Sequence, residues 1–528
     1  MRRLVIRGAK VVDGTGAPWF YGDVEVLGDR IGRVGRKLLA SGVRVIDADG
    51  CVLAPGFIDI HSHSDDTILA NPWAESKIRQ GVTTEVVGNC GYSLAPLEGQ
   101  ARAEVERDLA DVGIEARWTS FGEYLRCVEE STTAVNIAAL VGHGTVRRAA
   151  MGCEERAPSP EEMEHMKAMV ARAMDDGAIG LSTGLIYPPS CYADTREIVE
   201  LARVAGEAGG VYASHIRHEE DRVVEAVEEA IAIGESAGVP VQISHHKSGG
   251  VDNWGKVRLT LELMWRARAR GVDVACDVYP YTASSTGLSV ILPQWIFDGG
   301  VDKAIERLKD DDVRRRIRPV VEEEEGRKRG WDKTVISSVT KEHNRRFEGK
   351  NLVEVAGMMG TDPFTAALDL IVDEAASVQT VRFGMCEEDV EFVLTSPLSS
   401  IGSDASVRAP YGRLGRGKPH PRSYGTFPRV LGRYVRERRV LSLEEAVRKM
   451  TSLPAQRMGL LDRGVVRPGM AADLVILDPD RVSETATYAD PHRYPVGIEW
   501  VLVAGQPVIE HGEHTGLTPG RVLRRHCM

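Results

Sequence analysis

The sequence contains no CxxC pair. Its eight cysteines, at positions 51, 90, 127, 153, 191, 276, 386 and 527, are scattered over 528 residues. That spacing excludes a dense disulfide framework and suits a reducing compartment, so a cytoplasmic protein is expected. Positive charge is not in surplus either: 66 basic residues face 77 acidic ones, for a net charge of −11. A dedicated binder of nucleic acid or of an anionic membrane needs a basic surface, and neither partner is expected. No apolar run reaches the length of a membrane span. The opening "MRRLVIRGAKVVDG" is too short and broken in its hydrophobicity for a signal peptide and reads as a β-strand. What is present is an ordinary globular composition, 43% hydrophobic and 27% charged, long enough for a large core and more than one domain.

The first fifty residues alternate in short strands punctuated by Gly and Asp, and the same texture returns in "DRGVVRPGMAADLVILDPD" and "GIEWVLVAGQPVIEHG". A small β-sandwich domain built from both chain ends (1–55 and 462–528) is the simplest reading. Between them, 56–461 alternates apolar strands with helical stretches. Eight strand candidates lie at 57–63, 83–90, 135–144, 178–185, 210–216, 239–246, 272–281 and 398–404, with helices such as 160–177 and 221–238 between them. That count predicts an α/β fold, a (β/α)8 TIM-like barrel, with its active site at the carboxyl ends of the strands. The gap between strands seven and eight is too long for a loop. An insertion at 286–350 is expected there, a possible lid, with the EEEE run at 322–325 as a solvated face.

The chemistry sits where the strands stop. "GFIDIHSHSDD" ends strand one with His61 and His63, which point the same way because residues two apart share a face of a strand. Cys90 ends strand two, His215 strand five, His245 strand six and Asp404 strand eight. In a barrel these ends converge on one small volume, and imidazole, thiolate and carboxylate together suit zinc. Taken singly, each has a plain structural reading: "HSH" as surface histidines, Cys90 as an inert buried thiol. His246, next to His245, must point the opposite way and reads as structural. His143, ending strand three, admits both readings. His165, His343 and the C-terminal histidines read as surface. Joint placement at strand ends is what argues for a metal site.

The motifs "GFIDIHSHSDD", "QGVTTEVVGNCGYSLAP", "SHIRHE", "ISHHK", "IGSDAS" and "HPRSYGTFPRVL" resemble those of the N-acyl-D-amino-acid deacylases, the D-aminoacylase branch of the amidohydrolase superfamily. The resemblance extends to "GMAADLVILDPD", essentially the whole chain. It implies a tightly bound zinc on Cys90, His215 and His245. His61 and His63 form a second, weaker metal position that Cys90 can also reach. Many members elsewhere in the superfamily carry a carboxylated lysine at the end of strand four; here "GLSTGLIY" has no lysine, which agrees with the Cys90 version. The resemblance further implies that Asp404 is the general base and acid, and that Tyr187 polarises the scissile carbonyl. Arg422 binds the substrate α-carboxylate, with Tyr281 and Ser285 as further contacts and Lys247 near the substrate, in a structural or general role or paired with an acidic side chain.

The expected activity is zinc-dependent hydrolysis of a small-molecule N-acyl-D-amino acid to a carboxylate and a free D-amino acid. Two rivals stand beside it. One is a hydrolase of another carboxylate-bearing amide, such as a dipeptide with a C-terminal D-residue or a cyclic amide. The other is a non-catalytic scaffold, which the full set of ligand residues disfavours. The preference for the D-hand follows from the resemblance alone.

Overall fold

The structure, a computed structural model, describes residues 3–524; His526 and Cys527 lie outside the described residues. Each of the eight expected barrel strands is present. The first three, Phe57–Asp59, Val82–Val87 and Asn136–Ala139, form one parallel sheet. A second parallel sheet runs from Val141–Gly142 through Gly180–Gly184, Val211–His215, Val241–Ile243 and Val274–Val278 to Ser399–Ile401. Asn136–Ala139 and Val141–Gly142 are one strand interrupted at Leu140. Helices cover the outside. Pro160–Asp175 starts where Ser159 and Glu162 form a capping box with proline in the first turn. Thr195–Glu207 buries Ile198, Leu201, Ala202 and Ala205, a stripe at helical spacing.

The barrel ladder is not closed. Strands one and eight meet only through a parallel bridge between Ser62 and Ala405, with Asp404 N–H donating to His61 O (2.7 Å) and His63 N–H to Ala405 O (3.2 Å). Charge fills the seam. Lys77 is fully buried, and its ammonium donates to Asp59 Oδ2 (2.8 Å), Ser403 Oγ (2.8 Å) and Ala405 O (2.7 Å), with Glu85 Oε2 at 3.3 Å. Asp59 Oδ1 in turn accepts from Ser403 N–H at 2.8 Å. Removing one partner of such a pair leaves uncompensated charge without water. Lys77→Met is expected to lower the unfolding free energy by about 3–5 kcal/mol, read from chemical denaturation; an unchanged midpoint would show that the seam holds without it.

Both chain ends build one nine-stranded sheet, joined where Val52–Pro55 pairs antiparallel with Leu474–Leu477. Around that join neighbouring residues face opposite ways. Leu53, Leu474, Ile476, Trp500 and Leu502 face a core enclosed by the sheet itself, while Val52, Ala54, Val475, Leu477, Val501 and Val503 join the main core with the barrel.

The segment between strands seven and eight runs further than 286–350. A three-stranded antiparallel sheet orders Ala283–Gly287, Gln379–Phe383 and Thr334–Ser338, and helices Val301–Leu308, Asp311–Val321, Leu352–Met359 and Pro363–Asp373 pack with it. This body has its own core, including Leu288, Leu308, Ile336, Phe347, Leu368 and Val378. It extends to residue 383 because its last strand returns to pair with its first. The EEEE run is not uniformly solvated: Glu325 is buried, bonded to Thr334 Oγ1 and paired with Arg329 (3.4 Å) and Arg382. Among the described residues no single helix is long and apolar enough to cross a membrane.

Candidate metal centre and active site

Three strand ends turn sharply at this site. Cys90, His245 and Asp404 adopt φ of +53°, +33° and +52°, a left-handed conformation that costs a non-glycine residue of order 1–3 kcal/mol and is stored mostly at functional sites. In "VVGNCG", Gly88 (φ +76°) cannot carry a Cβ, which would lie 2.0 Å from Leu140 O, and a Cβ on Gly91 (φ +76°) would meet Gly184 N at 2.7 Å. The two glycines let strand two pass this close to its neighbours and aim the thiol into the barrel mouth.

There Cys90 Sγ lies 3.4 Å from His61 Nε2 and 3.5 Å from His245 Nε2, and His245 Nε2 lies 2.9 Å from His215 Nδ1. Asp404 Oδ1 stands 3.0 Å from His63 Nε2 and 3.5 Å from His61 Nε2. Burial pushes the Cys90 thiol pKa up, but the imidazoles of His61 and His245 outweigh burial and hold it well below its ordinary value. Burial likewise opposes ionisation of Asp404, yet Arg422, His245 and His63 keep its carboxyl well below the usual range. His63 moves the other way, to about 9: burial lowers it, and Asp404 and Cys90 more than reverse that.

These donors fit a zinc ion. Zinc bonds of about 2.0–2.3 Å set ligand atoms roughly 3–4 Å apart around a tetrahedral ion, and a thiolate with imidazoles is its preferred donor set. Donor atoms of His61, Cys90, His245 and Asp404 all lie within 4.8 Å of one another. His215 turns Nδ1 to His245 Nε2 and the cluster, and its outer Nε2 is buried without a hydrogen-bond partner.

Arg422 opens a helix, Arg422–Arg429, beside the metal position. Its Nη1 lies 2.8 Å from Asp404 Oδ2 without hydrogen-bond alignment, Nη2 donates to Ser285 O (3.3 Å), and the guanidinium stacks 4.7 Å from the Tyr279 ring. His420 supports it: Nδ1 accepts from Arg422 N–H (3.0 Å) and Nε2–H donates to Ala283 O (3.0 Å). Tyr187 lies edge-on to His215 with centroids 5.0 Å apart, its hydroxyl 3.0 Å from Thr286 Oγ1. Burial raises its phenol, which stays a neutral donor. Ser285 and Lys247 line the same cleft of about 1330 Å³. The Lys247 ammonium is held inside the protein by Glu219 Oε1 (2.5 Å) and its neighbour's carbonyl, His245 O (2.8 Å).

Sequence reasoning placed Tyr281 here; its hydroxyl donates to Glu484 Oε2 at 2.8 Å, and the residue does not line the cleft. Tyr279 does, with a buried hydroxyl lacking any partner. It directly follows the last residue of strand seven, the position that barrel geometry favours. Asp277 was also missed: Oδ1 accepts from His61 Nδ1–H (3.1 Å) and His245 N–H (2.7 Å), so His61 presents Nε2 to the thiol. A buried acid inside the apolar "VACDVY" was the available signal. His143 lies outside the cluster, between Ser190 (2.9 Å) and Glu197 (3.0 Å), and His246 turns to Thr260 (2.8 Å).

The model of the amidohydrolase family matches residues 44–509. The chain is 40% identical over 522 residues to D-aminoacylase of Alcaligenes xylosoxydans xylosoxydans, covering 99% of this chain and 97% of that protein. It superposes on the crystal structure of N-acyl-D-glutamate deacylase from Bordetella bronchiseptica, complexed with zinc and a phosphonate inhibitor that mimics the tetrahedral intermediate, with TM-score 0.84, 38% identity and 99% of each chain covered. A D-aminoacylase structure described by its binuclear metal centre, with one-metal activation and second-metal attenuation, matches at TM-score 0.83 and 38% identity, again over 99% of each chain.

Proposed function

The chain belongs to the amidohydrolase family, and from that premise we propose that it is a zinc-dependent deacylase that hydrolyses N-acyl-D-amino acids to a carboxylate and a free D-amino acid. The single observation that carries the reading is the convergence of Cys90, His215 and His245 at 2.9 and 3.5 Å beside an Asp404–Arg422 pair at 2.8 Å. The D-hand rests on the relatives, each of which acts on D-amino-acid derivatives by name.

Cys90, His215 and His245 would hold the tight zinc, and His61 and His63, with Cys90 Sγ 3.4 Å from His61 Nε2, the second, weaker position. A zinc ion there would supply Lewis acidity and lower the pKa of water toward neutrality. Asp404 takes the proton of the attacking water and later delivers it to the leaving amine nitrogen, acting as base and then acid. Tyr187 donates its phenolic hydrogen to the carbonyl oxygen as charge develops on it. Arg422 turns from Asp404 to grip the substrate α-carboxylate, a charge-assisted pair that fixes orientation, with the free Tyr279 hydroxyl and Ser285 beside it. A reducing cytoplasm suits a site built on a thiolate, and all seven described cysteines are free.

The test is a screen of N-acetyl-D- and N-acetyl-L-amino acids by amine release, with zinc counted in the same preparation. One tight zinc per chain, D-selective release and loss of zinc in Cys90→Ala are expected. Equal rates on both enantiomers would remove the D-specific reading, and full zinc occupancy in Cys90→Ala would make that cysteine a packing residue.

A further inference from the structure

Two ring nitrogens that face away from the metal position meet the same carboxylate. His245 turns Nε2 to Cys90 and His215, leaving Nδ1 outside, and Glu219 Oε1 lies 3.0 Å from that nitrogen without hydrogen-bond alignment. His215 turns Nδ1 inward, and its outer Nε2, buried and without a hydrogen-bond partner, lies 3.7 Å from Glu219 Oε2. Each oxygen of one carboxylate thus backs a different ring. We infer that Glu219 is a positioning residue that fixes the tautomer and orientation of both zinc histidines at once, an inference that rests on the zinc reading above.

The physical reason is the proton. A nitrogen that binds metal must offer its lone pair, so the ring hydrogen sits on the other nitrogen and needs an acceptor. At His245, Lys247 Nζ also lies 2.7 Å from Nδ1; an ammonium accepts nothing, so with the ring hydrogen on Nδ1 its own hydrogens turn to Glu219 Oε1 and His245 O, which it already contacts. Lys247 donates to Glu219 Oε1 and keeps a cation against the carboxylate. At His215 a movement of less than about 1 Å brings 3.7 Å to hydrogen-bond length.

The loop that carries Glu219 is anchored. Glu219 O accepts from Gly249 N–H (2.8 Å), and the next two residues pair with the insertion, Glu220 with Arg329 and Asp221 with Lys328 (2.6 Å). A rival role, Glu219 as a metal ligand, has the support that His215, Glu219 and His245 also offer donors within 4.8 Å. Its oxygens, however, approach the nitrogens opposite those that face Cys90, so a metal bound there would abandon the thiolate.

The experiment measures the zinc dissociation constant of the full-length parent, Glu219→Gln and Glu219→Asp by competition with a chromophoric chelator, together with zinc stoichiometry at saturation. Glu219→Gln keeps the shape and loses the charge. Its zinc affinity is expected to fall about 10–100-fold with one equivalent still bound at saturation, and Glu219→Asp is expected to lie between it and the parent. Dissociation constants within twofold of the parent for both variants would overturn the inference, since a merely structural loop contact leaves metal affinity unmoved. Loss of a whole zinc equivalent in Glu219→Gln would overturn it in favour of a ligand. A parent that holds no zinc would sink the metal reading itself, whereas a zinc-loaded parent with equally loaded variants sinks this inference alone.

Discussion

Asp404→Asn retains zinc and fold and turns over N-acyl-D-amino acids about 10²–10⁴-fold more slowly, the range that a positioned acid–base group contributes. The substitution is isosteric, and the Cys90, His215 and His245 donors do not depend on it. The amide, though, cannot take a proton from water or return one to the leaving nitrogen. The effect falls in the rate constant rather than in substrate affinity, because the step lost is made only in the transition state. Steady-state kinetics with zinc counted in the same sample checks this. Near-normal turnover with full zinc removes Asp404 from the chemistry.

Arg422→Met has the second large effect, and it has two parts. Loss of a charge-assisted contact to the α-carboxylate removes about 3–4 kcal/mol, or roughly 10²–10³-fold in kcat/KM. Substrates whose carboxylate is replaced by a carboxamide should lose far less, so the variant's selectivity for acids collapses. The second part is a pH shift. Burial opposes the charge on Asp404, and Arg422 is the largest single influence holding its carboxyl low. Without the guanidinium the carboxyl is raised, its charged form is lost at higher pH on the acid side, and the acid limb of the rate profile moves upward. A variant that loses both substrate types equally would mean that Arg422 only supports the fold.

The strands and the polar residues that cluster at their ends were legible in the sequence because their signals are local. Phe57, Ile58 and Ile60 followed by His61 and His63 state an apolar strand and its polar end within a few residues, and the same holds for "VPVQISHH" and "LSSIGSD". The unbroken apolar run Leu474–Leu477 likewise announces a strand with two buried faces. Counting such ends was enough to expect a barrel and to gather Cys90, His215, His245 and Asp404 at its mouth.

Other decisions required the chain to be folded. Whether Tyr279 or Tyr281 lines the cleft depends on Glu484, 203 positions away, which takes the Tyr281 hydroxyl. Glu325 reads as one of four equal acids until Arg329, Arg382 and Thr334 close around it. The insertion reaches residue 383 because Gln379–Phe383 pairs with a strand almost a hundred residues earlier. Asp277 and Glu219 orient the histidines only through groups that the barrel brings behind the rings. Amphipathic periodicity and strand-end polarity are properties of neighbours along the chain, and the sequence by itself determined them. Which donor meets which acceptor in a buried site is a property of neighbours in space, where an unpaired polar group is costly, and only the tertiary structure decided it.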